Sequence, residues 1–258
     1  MKPMIYHETL PGKSNAHLLT LEDGKRYVVK YLQTGFEKSL ANEWIGYCIG
    51  RYLGVPIPFA KIISLDEEMK MNLPNPLPLL PSRYQFASSF IPDCKNLHEI
   101  TDIEKITNQD TLAMLILFDY WLLNSDRTRK NILLQEKSPG EFQVWSIDHA
   151  EILTSYRWSL DDLTHASQGL FKSATHQILC RYIENENAFL EALEIIQTMP
   201  ILLIEEIVDL IPDDWLVTKE EKKAIVAFLI HRRKKVLPKL LITWLKKVYR
   251  PQRIKLSD

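Results

Sequence analysis

The first quarter of the chain alternates short apolar runs with polar turns, a pattern that predicts β-strands. Two strand-like runs, residues 17–21 and 26–32, are joined by the sequence Glu-Asp-Gly-Lys, which is a strong hairpin signal. With the Asp and the Gly as central turn residues, the pairing places Lys30 across from His17. A lysine therefore points at, or directly away from, the root of the polar loop at residues 11–16.

A helical pattern follows at residues 39–52, where apolar side chains recur at every third or fourth position. Ser39 is the predicted N-cap, because its hydroxyl can accept a hydrogen bond from a free backbone N–H group. Gly54 is the predicted stop, since glycine tolerates the left-handed conformation that commonly ends a helix. Glu43 is the only acidic residue of this predicted helix.

Prolines and another strand-like run come before the pattern changes. Prolines disfavour regular structure, so residues 73–78 are predicted to form a surface excursion. The strand-like run at residues 84–91 ends at Pro92. We predict that a lobe boundary lies there, between an N-terminal lobe, residues 1–92, and a C-terminal lobe, residues 93–258. Helical patterns dominate the second half of the chain.

A second hairpin is predicted in the middle of the chain. A strongly apolar helix at residues 110–123 precedes it, and its two strands are residues 131–135 and 142–147. Folding the chain about the Ser-Pro turn brings Asn131 opposite the end of the second strand. Asp148 is the next residue after that strand.

Three oxygen-bearing side chains are therefore predicted to meet at one end of this hairpin. Asp126 lies on the incoming loop, Asn131 begins the first strand, and Asp148 follows the second strand. Two carboxylates and one amide oxygen suit Mg²⁺, which prefers oxygen ligands and takes few of them from protein. The same residue types suit phosphoryl transfer, with Lys30 on the phosphates and Glu43 pairing with that lysine.

Composition narrows the classes of protein that fit. The 258 residues have a net charge of -1, which argues against a surface built throughout for nucleic acid. Three cysteines without a C-x-x-C pair suggest neither a disulfide framework nor a zinc site. No apolar stretch has the length of a membrane span, and the first residues do not resemble a signal peptide. We therefore expect a cytoplasmic protein.

Several motifs resemble the HipA-like kinase family. Residues 124–131, Asn-Ser-Asp-Arg-Thr-Arg-Lys-Asn, look like its N-x-D-R-x-x-x-N catalytic loop, and residues 146–149, Ser-Ile-Asp-His, resemble its metal-binding I-D-H segment. Residues 27–30, 40–43 and 53–58 are similar to the lysine strand, the helix and the following turn of compact members of the family. The motifs occur in the family's order along the chain.

The resemblance implies a two-lobed, protein-kinase-like α+β fold with a β-rich N-lobe and a mainly helical C-lobe. It also implies ATP and Mg²⁺, with transfer of the γ-phosphoryl group to a protein Ser/Thr hydroxyl. Asp126 is the implied catalytic base, and Asn131 and Asp148 are the implied magnesium ligands. Lys30 is the implied phosphate-binding lysine, with Glu43 as its partner.

The residues expected to cover the nucleotide have weaker sequence signals than the residues implied for catalysis and metal binding. The resemblance implies that the loop with Gly12, Lys13 and Ser14 covers the phosphates. This loop has one glycine where many kinases have three, so its backbone has fewer ways to approach phosphate closely. An ordinary exposed turn is the alternative for Lys13 and Ser14. Phe90 and Ile91 are predicted to contact adenine, because they lie at the predicted lobe boundary.

Other functions stay open on sequence alone. The spacing from the catalytic Asp to the Asn also resembles that of aminoglycoside and phosphatidylinositol kinases, so a small molecule or a lipid is an alternative phosphoacceptor. The glycine-poor loop is compatible with a pseudokinase or a nucleotide-binding scaffold. The basic residues 232–235 are compatible with an RNA-binding or membrane-binding surface, although packing against the acidic stretch 184–221, or a solvated face, is the simpler interpretation.

Overall fold

Strands dominate the first part of the chain and helices the last part, so the predicted α+β class is confirmed. The computed structural model describes residues 3–65, 74 and 78–257. Most of the proline-rich segment, residues 73–78, lies outside the described residues. The lobe boundary near residue 92 stays a prediction.

Five antiparallel strands form the first sheet. In chain order they are β1 (Pro3–Thr9), β2 (His17–Leu21), β3 (Arg26–Lys30), β4 (Ala60–Ser64) and β5 (Tyr84–Ser89). Their order across the sheet is β1-β2-β3-β5-β4, so β3, which ends at Lys30, is the central strand. Buried and less buried residues alternate in β3, as in a half-buried strand, and apolar residues in and next to β2, β4 and β5 are buried with them. They form a small core of Leu19, Leu21, Tyr27, Val29, Tyr31, Ile63, Leu65 and Ala87.

The pairing predicted for the β2–β3 hairpin is wrong by one residue. His17 pairs with Val29, not with Lys30. The turn has three central residues instead of two, and Gly24 takes the left-handed conformation with a φ of 72°. Three-residue hairpin loops with a left-handed residue at this position are the next most common type. On its other edge β3 pairs with β5, where Lys30 lies opposite Phe86.

The first helix, α1 (Ser39–Tyr52), has the predicted bounds. Its predicted N-cap is wrong, because Lys38 occupies that position and the Ser39 hydroxyl donates to the carbonyl oxygen of Phe36 at 2.8 Å. Gly54 follows the helix with a φ of 77°, which confirms it as the residue that stops the helix.

A second sheet contains the other predicted hairpin. Its strands, in the order β6-β8-β9-β7 across the sheet, are β6 (Cys94–Asn96), β7 (Lys105–Ile106), β8 (Ile132–Ser138) and β9 (Glu141–Ser146). Ile132 pairs with Ser146, and the amide of Ile147 donates to the carbonyl oxygen of Asn131 at 3.0 Å. The pairing predicted for this end of the hairpin is confirmed.

The larger core is built around helix α2 (Leu112–Leu122), in which every residue is buried. A helix that is apolar on all sides is expected to lie inside the protein. The helix ends at Leu123, whose φ of 56° turns the chain into the loop at residues 124–131. Asp119 is the one charged residue of α2, and it is fully buried.

Helices make up most of the remaining chain. They are α3 (Leu160–Thr164), α4 (Ala174–Leu179), α5 (Asn187–Thr198), α6 (Ile201–Asp209), α7 (Lys219–His231), α8 (Leu237–Trp244) and α9 (Arg250–Ser257). Two π-helical segments, Arg232–Val236 and Leu245–Tyr249, join α7, α8 and α9. Short 3-10 turns occur at Gln109–Thr111, Arg129–Asn131, Ile152–Thr154, Cys180–Tyr182 and Asp213–Trp215.

The basic residues 232–235 are only partly available to a nucleic acid. Arg232 is buried, and its guanidinium donates to two backbone carbonyls of the last turn of α2, at 2.7 and 2.8 Å. Arg233 is also buried and donates to backbone carbonyls at the end of α5. Trp244 is buried as well. An RNA-binding surface in this region would therefore depend on the exposed lysines.

A helix that spans a membrane must be both long and predominantly apolar. Within the described residues, no single helix is both long enough and apolar enough. The pair α5 and α6, bent by 70° at its break, meets the same two criteria when taken together.

Candidate active site

A lysine of the first sheet meets two carboxylates from distant parts of the chain. Lys30 Nζ lies 2.5 Å from Glu43 Oε1 and 2.9 Å from Asp148 Oδ1. Glu43 is on α1, and Asp148 follows β9. The structure thus brings together three of the residues that the sequence singled out, and it adds a direct contact between Lys30 and Asp148.

Burial and charge act against each other in this cluster. The side chains of Lys30 and Glu43 are 12% and 3% exposed, whereas that of Asp148 is 41% exposed. Burial by itself lowers the pKa of Lys30, but Asp148 and Glu43 outweigh burial and the pKa is raised. Burial raises the pKa of Glu43, but Lys30 and His149 outweigh it and the pKa is lowered. Lys30 and Glu43 are therefore both charged at neutral pH.

Helix α1 approaches the segment after β9 very closely. A Cβ atom at Gly46 would lie 2.6 Å from the Cβ of His149, so glycine is required for this approach. His149 is buried, its Nδ1 lies 3.7 Å from Glu43 Oε2, and its ring packs edge-on against Phe118. The histidine is therefore packed between Phe118 and the Glu43 carboxylate.

Asp126 and Asn131 lie at the same end of the hairpin as Asp148. Asn131 Nδ2 donates to the backbone oxygen of Asp126 at 2.9 Å, which leaves the Asn131 Oδ1 atom for a ligand. Asp126 is exposed, and its pKa is raised by partial burial and by Asp148, with Lys13 acting in the opposite direction. A carboxylate with a raised pKa is suited to accept a proton from a hydroxyl group.

The polar loop between β1 and β2 reaches the same region. Its Ser14 carbonyl accepts a hydrogen bond from Gln33 Nε2 at 2.6 Å. Lys13 is 73% exposed, and its Nζ lies 3.9 Å from Glu151 Oε1. Gly12 has a φ of 146°, a conformation that L side chains rarely adopt. The sequence analysis missed Glu151. Its pKa is raised by burial and by the neighbouring acids Asp126 and Asp148, so this residue lies beside the site.

Phe90 and Ile91 follow β5 and lie apart from the charged cluster in the described contacts. The amide of Phe90 donates to the carbonyl oxygen of Arg26 at 3.0 Å, and the Arg26 guanidinium lies 4.5 Å from the centre of the Phe90 ring. Both residues are partly exposed. Their contact with adenine stays a prediction.

Comparison with known families decides the affiliation of this chain. A sequence model described as HipA-like kinase matches residues 4–242. The chain belongs to the HipA-like kinase family. The predicted family is thus confirmed, and membership supports a phosphotransferase. No curated protein sequence matches the chain.

Solved structures confirm the fold of this HipA-like kinase. The Helicobacter pylori proinflammatory kinase CtkA has a TM-score of 0.61 at 14% identity, covering 93% of this chain and 95% of CtkA. A Golgi casein kinase with Mn/ADP bound has a TM-score of 0.54 at 12% identity, covering 95% and 74% of the two chains. HipA of Shewanella oneidensis MR-1, solved with HipB and operator DNA, has a TM-score of 0.50 at 12% identity, covering 92% and 67%. The two-lobed, protein-kinase-like fold is therefore shown.

The charged cluster is compatible with the nucleotide and divalent metal whose use the HipA-like kinase family suggests. Lys30 offers an ammonium group, and Asn131 and Asp148 offer an amide oxygen and a carboxylate at one strand end. The described residues contain no group of three or more His, Cys, Asp or Glu side chains that could hold a metal alone. Mg²⁺ usually takes one or two carboxylates from protein and its other ligands from water and phosphate, so this sparse donor set suits it.

Asn42, which precedes Glu43 on α1, holds the segment that follows Asp148. Its Nδ2 donates to the backbone oxygens of Ala150, Ile152 and Ser155 at 2.6, 3.0 and 3.0 Å. The indole nitrogen of Trp158 donates to its Oδ1 at 2.9 Å. One buried side chain therefore joins the helix that carries Glu43 to the segment that carries Asp148. Sequence reasoning missed this role, because all the partners are more than a hundred residues away.

The side chain of Arg127, the neighbour of Asp126, is buried inside the protein. Arg127 is 2% exposed and forms an ion pair with Asp119 of α2, with Nε and Oδ2 2.9 Å apart. Pairing with an acid is therefore the side-chain contact that the structure shows for this arginine. The acid lies in α2, not in the loop.

Proposed function

We propose that this HipA-like kinase uses ATP and Mg²⁺ to transfer the γ-phosphoryl group to a Ser/Thr hydroxyl of a protein. The observation that carries the proposal is the contact of Lys30 with both Glu43 and Asp148, at 2.5 and 2.9 Å. A lysine–glutamate pair next to a metal-binding aspartate is the arrangement that phosphoryl transfer in kinases requires.

Each residue has a distinct role in this proposal. Asp126 accepts the proton of the attacking hydroxyl, because it is exposed and its pKa is raised. Lys30 binds phosphate oxygens, and Glu43 keeps the ammonium group in place. Asn131 and Asp148 would hold Mg²⁺, which would supply positive charge against the charge that develops on the phosphate oxygens. The protein contributes position and electrostatics more than covalent chemistry.

A protein acceptor is the preferred choice among the kinase alternatives. One protein of similar fold is named a casein kinase, and that name indicates a protein phosphoacceptor for that relative. The exposed position of Asp126 also suits a large acceptor, because a protein segment can reach the carboxylate from outside. A small molecule or a lipid remains the competing acceptor class, which the resemblance to aminoglycoside and phosphatidylinositol kinases suggested.

The proposal is tested by following labelled phosphate from ATP into candidate proteins and, in parallel, into small-molecule and lipid fractions. We expect Mg²⁺-dependent labelling of protein Ser or Thr that disappears in Asp126→Ala. Asp102→Ala is the matched control, since Asp102 is an exposed aspartate outside the site. Labelling confined to a metabolite or lipid would replace the protein acceptor with that class.

A pseudokinase is the second candidate, and the covering loop favours it. The loop has Gly12 as its single glycine, and Lys13 already lies 3.9 Å from an acid of its own chain, Glu151. The backbone of such a loop has few ways to approach a phosphate group closely. ATP binding without any turnover, under conditions where Mg²⁺ is saturating, would favour this candidate over the kinase.

A further inference from the structure

One buried carboxylate behind the catalytic loop has no part in the proposed chemistry. Asp119 is fully buried in a helix that is otherwise apolar. A buried carboxylate is costly unless it is paired and hydrogen-bonded. Its partners should therefore explain why α2 contains an acid at this position.

The partners of Asp119 all lie in or near the catalytic loop. Its carboxylate accepts from Asn124 Nδ2 at 2.9 Å, from Arg127 Nε and an Arg127 terminal nitrogen at 2.9 and 3.0 Å, and from His176 Nε2 at 2.9 Å. Burial by itself raises the pKa of Asp119, but Arg127 and His176 outweigh it and lower the pKa to about 2. The carboxylate is therefore ionised and fully engaged.

His176 is held chiefly by this carboxylate. A carboxylate only accepts hydrogen bonds, so the Nε2 atom of His176 carries the hydrogen. The other ring nitrogen, Nδ1, is buried and has no hydrogen-bond partner in the described part of the chain. Leaving a buried ring nitrogen unpaired is unfavourable. The contact with Asp119 is thus the polar contact that the structure shows for this ring.

The opposite side of the Arg127 guanidinium contacts both strand ends of the site. Its second terminal nitrogen donates to the carbonyl oxygen of Asn131 at 3.2 Å and to that of Ile147 at 2.6 Å. Ile147 immediately precedes Asp148. Because a guanidinium is planar and rigid, it fixes the spacing of the groups that it bridges. One arginine, anchored by Asp119, therefore spans the backbone next to Asp148 and the backbone of Asn131 itself.

We propose that Asp119 and His176 are positioning residues for phosphoryl transfer, which act through Arg127 to set the separation of Asn131 and Asp148. This inference rests on the proposed function, in which the latter two residues hold the metal. Removing a group that orients metal ligands typically lowers metal affinity or activity by roughly 10- to 100-fold.

A purely structural ion pair would give a different result. Buried ion pairs often add little net stability compared with apolar replacements, whereas breaking one by removing a partner is strongly destabilising. If Asp119 served stability alone, its variants would unfold more easily, but the folded fraction would bind metal and nucleotide normally. A positioning role instead alters the site of the folded protein.

The test uses the full chain with Asp119→Asn and with His176→Gln, which both retain side-chain size and a polar group. Binding of Mn²⁺ in the presence of ADP is measured by electron paramagnetic resonance, which needs no turnover. Hydrogen exchange at residues 124–131 is measured on the ligand-free protein. Arg233→Met is the matched control, because Arg233 is buried but its carbonyl partners lie at the end of α5.

We expect both variants to bind Mn²⁺ about 10-fold more weakly or worse and to exchange loop amides faster. Arg233→Met should lower stability only. Unchanged binding and unchanged loop exchange in the two variants would overturn the inference. If Asp119→Asn does not fold, His176→Gln decides, since it keeps Asp119 paired with Arg127 and replaces the imidazole, which makes one of the four hydrogen bonds to the carboxylate.

Failure of the proposed function looks different. A wild-type chain that binds Mn²⁺ and ADP but transfers no phosphate contradicts the kinase proposal, while the binding data on the two variants still decide the positioning role. A wild-type chain that transfers phosphate, with both variants equal to it in Mn²⁺ affinity, keeps the function and removes the positioning role.

Discussion

Two charged clusters lie near residues 124–131, the proposed catalytic loop, and they differ in exposure. In the front cluster, Lys30 pairs with Glu43 and with Asp148, and the Asp148 side chain is 41% exposed. In the rear cluster, Arg127 pairs with Asp119, and both side chains are 0% exposed. One ion-pair cluster thus lies at the cleft, and the other lies in the core.

The difference in exposure assigns the two clusters different tasks. A partly exposed carboxylate is solvated, so exchanging its lysine partner for a metal ion has a small energetic cost. A fully buried pair cannot lose one partner without leaving an unpaired charge in a medium of low dielectric constant. The front cluster is therefore suited to bind and release a ligand, and the rear cluster to hold the loop in one conformation.

The largest expected effect is on stability at the rear cluster. Arg127→Ala leaves the buried Asp119 without its main counter-charge, so we expect the free energy of unfolding to fall by about 3–5 kcal/mol. Chemical denaturation measures this change. Arg129→Ala, at an exposed arginine of the same loop, should change stability by less than about 0.5 kcal/mol. Equal effects of the two substitutions would remove the distinction between the clusters.

The next effect is on catalysis at the front cluster. Asp148→Ala removes a proposed ligand of the metal but leaves Lys30 paired with Glu43, so we expect kcat to fall by roughly 10²- to 10³-fold with little loss of stability. Steady-state phosphoryl transfer and thermal unfolding are measured on the same sample. Asp161→Ala, at an aspartate paired with His165 on the surface, serves as the control. A variant that unfolds but keeps its activity while folded would contradict this assignment.

On acidification, the front and rear clusters are expected to respond at different pH values. The folded pKa of Asp119 is about 2, below its ordinary value of 3.8, so its stabilisation of roughly 2 kcal/mol is present above about pH 4 and is lost as the pH falls toward 2. Asp126 must be ionised to act as a base, and its pKa is raised. Activity should therefore decline at a higher pH than the rear cluster weakens. Coincident activity and unfolding profiles would argue against this order.

A smaller effect is expected where the front cluster meets α1. Gly46→Ala places a methyl group 2.6 Å from the Cβ of His149, so we expect a loss of at least about 1 kcal/mol and weaker phosphoryl transfer. Gly169→Ala, where the nearest atom is a serine oxygen at 3.8 Å, is the control and should change neither property. Denaturation midpoints and initial rates distinguish these outcomes.

Local patterns predicted much of the fold, since they depend on neighbours in sequence. The bounds of α1 follow from its apolar spacing and from the glycine after it, and the pairing at the open end of the β8–β9 hairpin follows from its turn. The β2–β3 register was wrong because Gly24 permits a three-residue turn that composition does not distinguish from a two-residue turn. The prediction of Ser39 as N-cap was wrong because its hydroxyl donates to the carbonyl oxygen of Phe36, which precedes it in the chain.

The site was only partly predictable for a related reason. Asp126, Asn131 and Asp148 flank one hairpin, so their proximity follows from local pairing. The contacts of Asn42 and the pairing of Asp119 with Arg127 and His176 depend on how separate helices and loops pack, which periodicity does not specify. The single acid of the otherwise apolar helix α2, Asp119, is the sequence feature from which the rear cluster could have been inferred.

The most direct measurement is calorimetric titration of a nonhydrolysable ATP analogue into the wild-type chain and into Asp148→Asn, each with and without Mg²⁺. The account predicts that Mg²⁺ strengthens binding of the analogue to the wild-type chain and that this gain is lost in Asp148→Asn. Equal gains from Mg²⁺ in the two proteins would contradict a metal–nucleotide site built on Asp148 and Lys30.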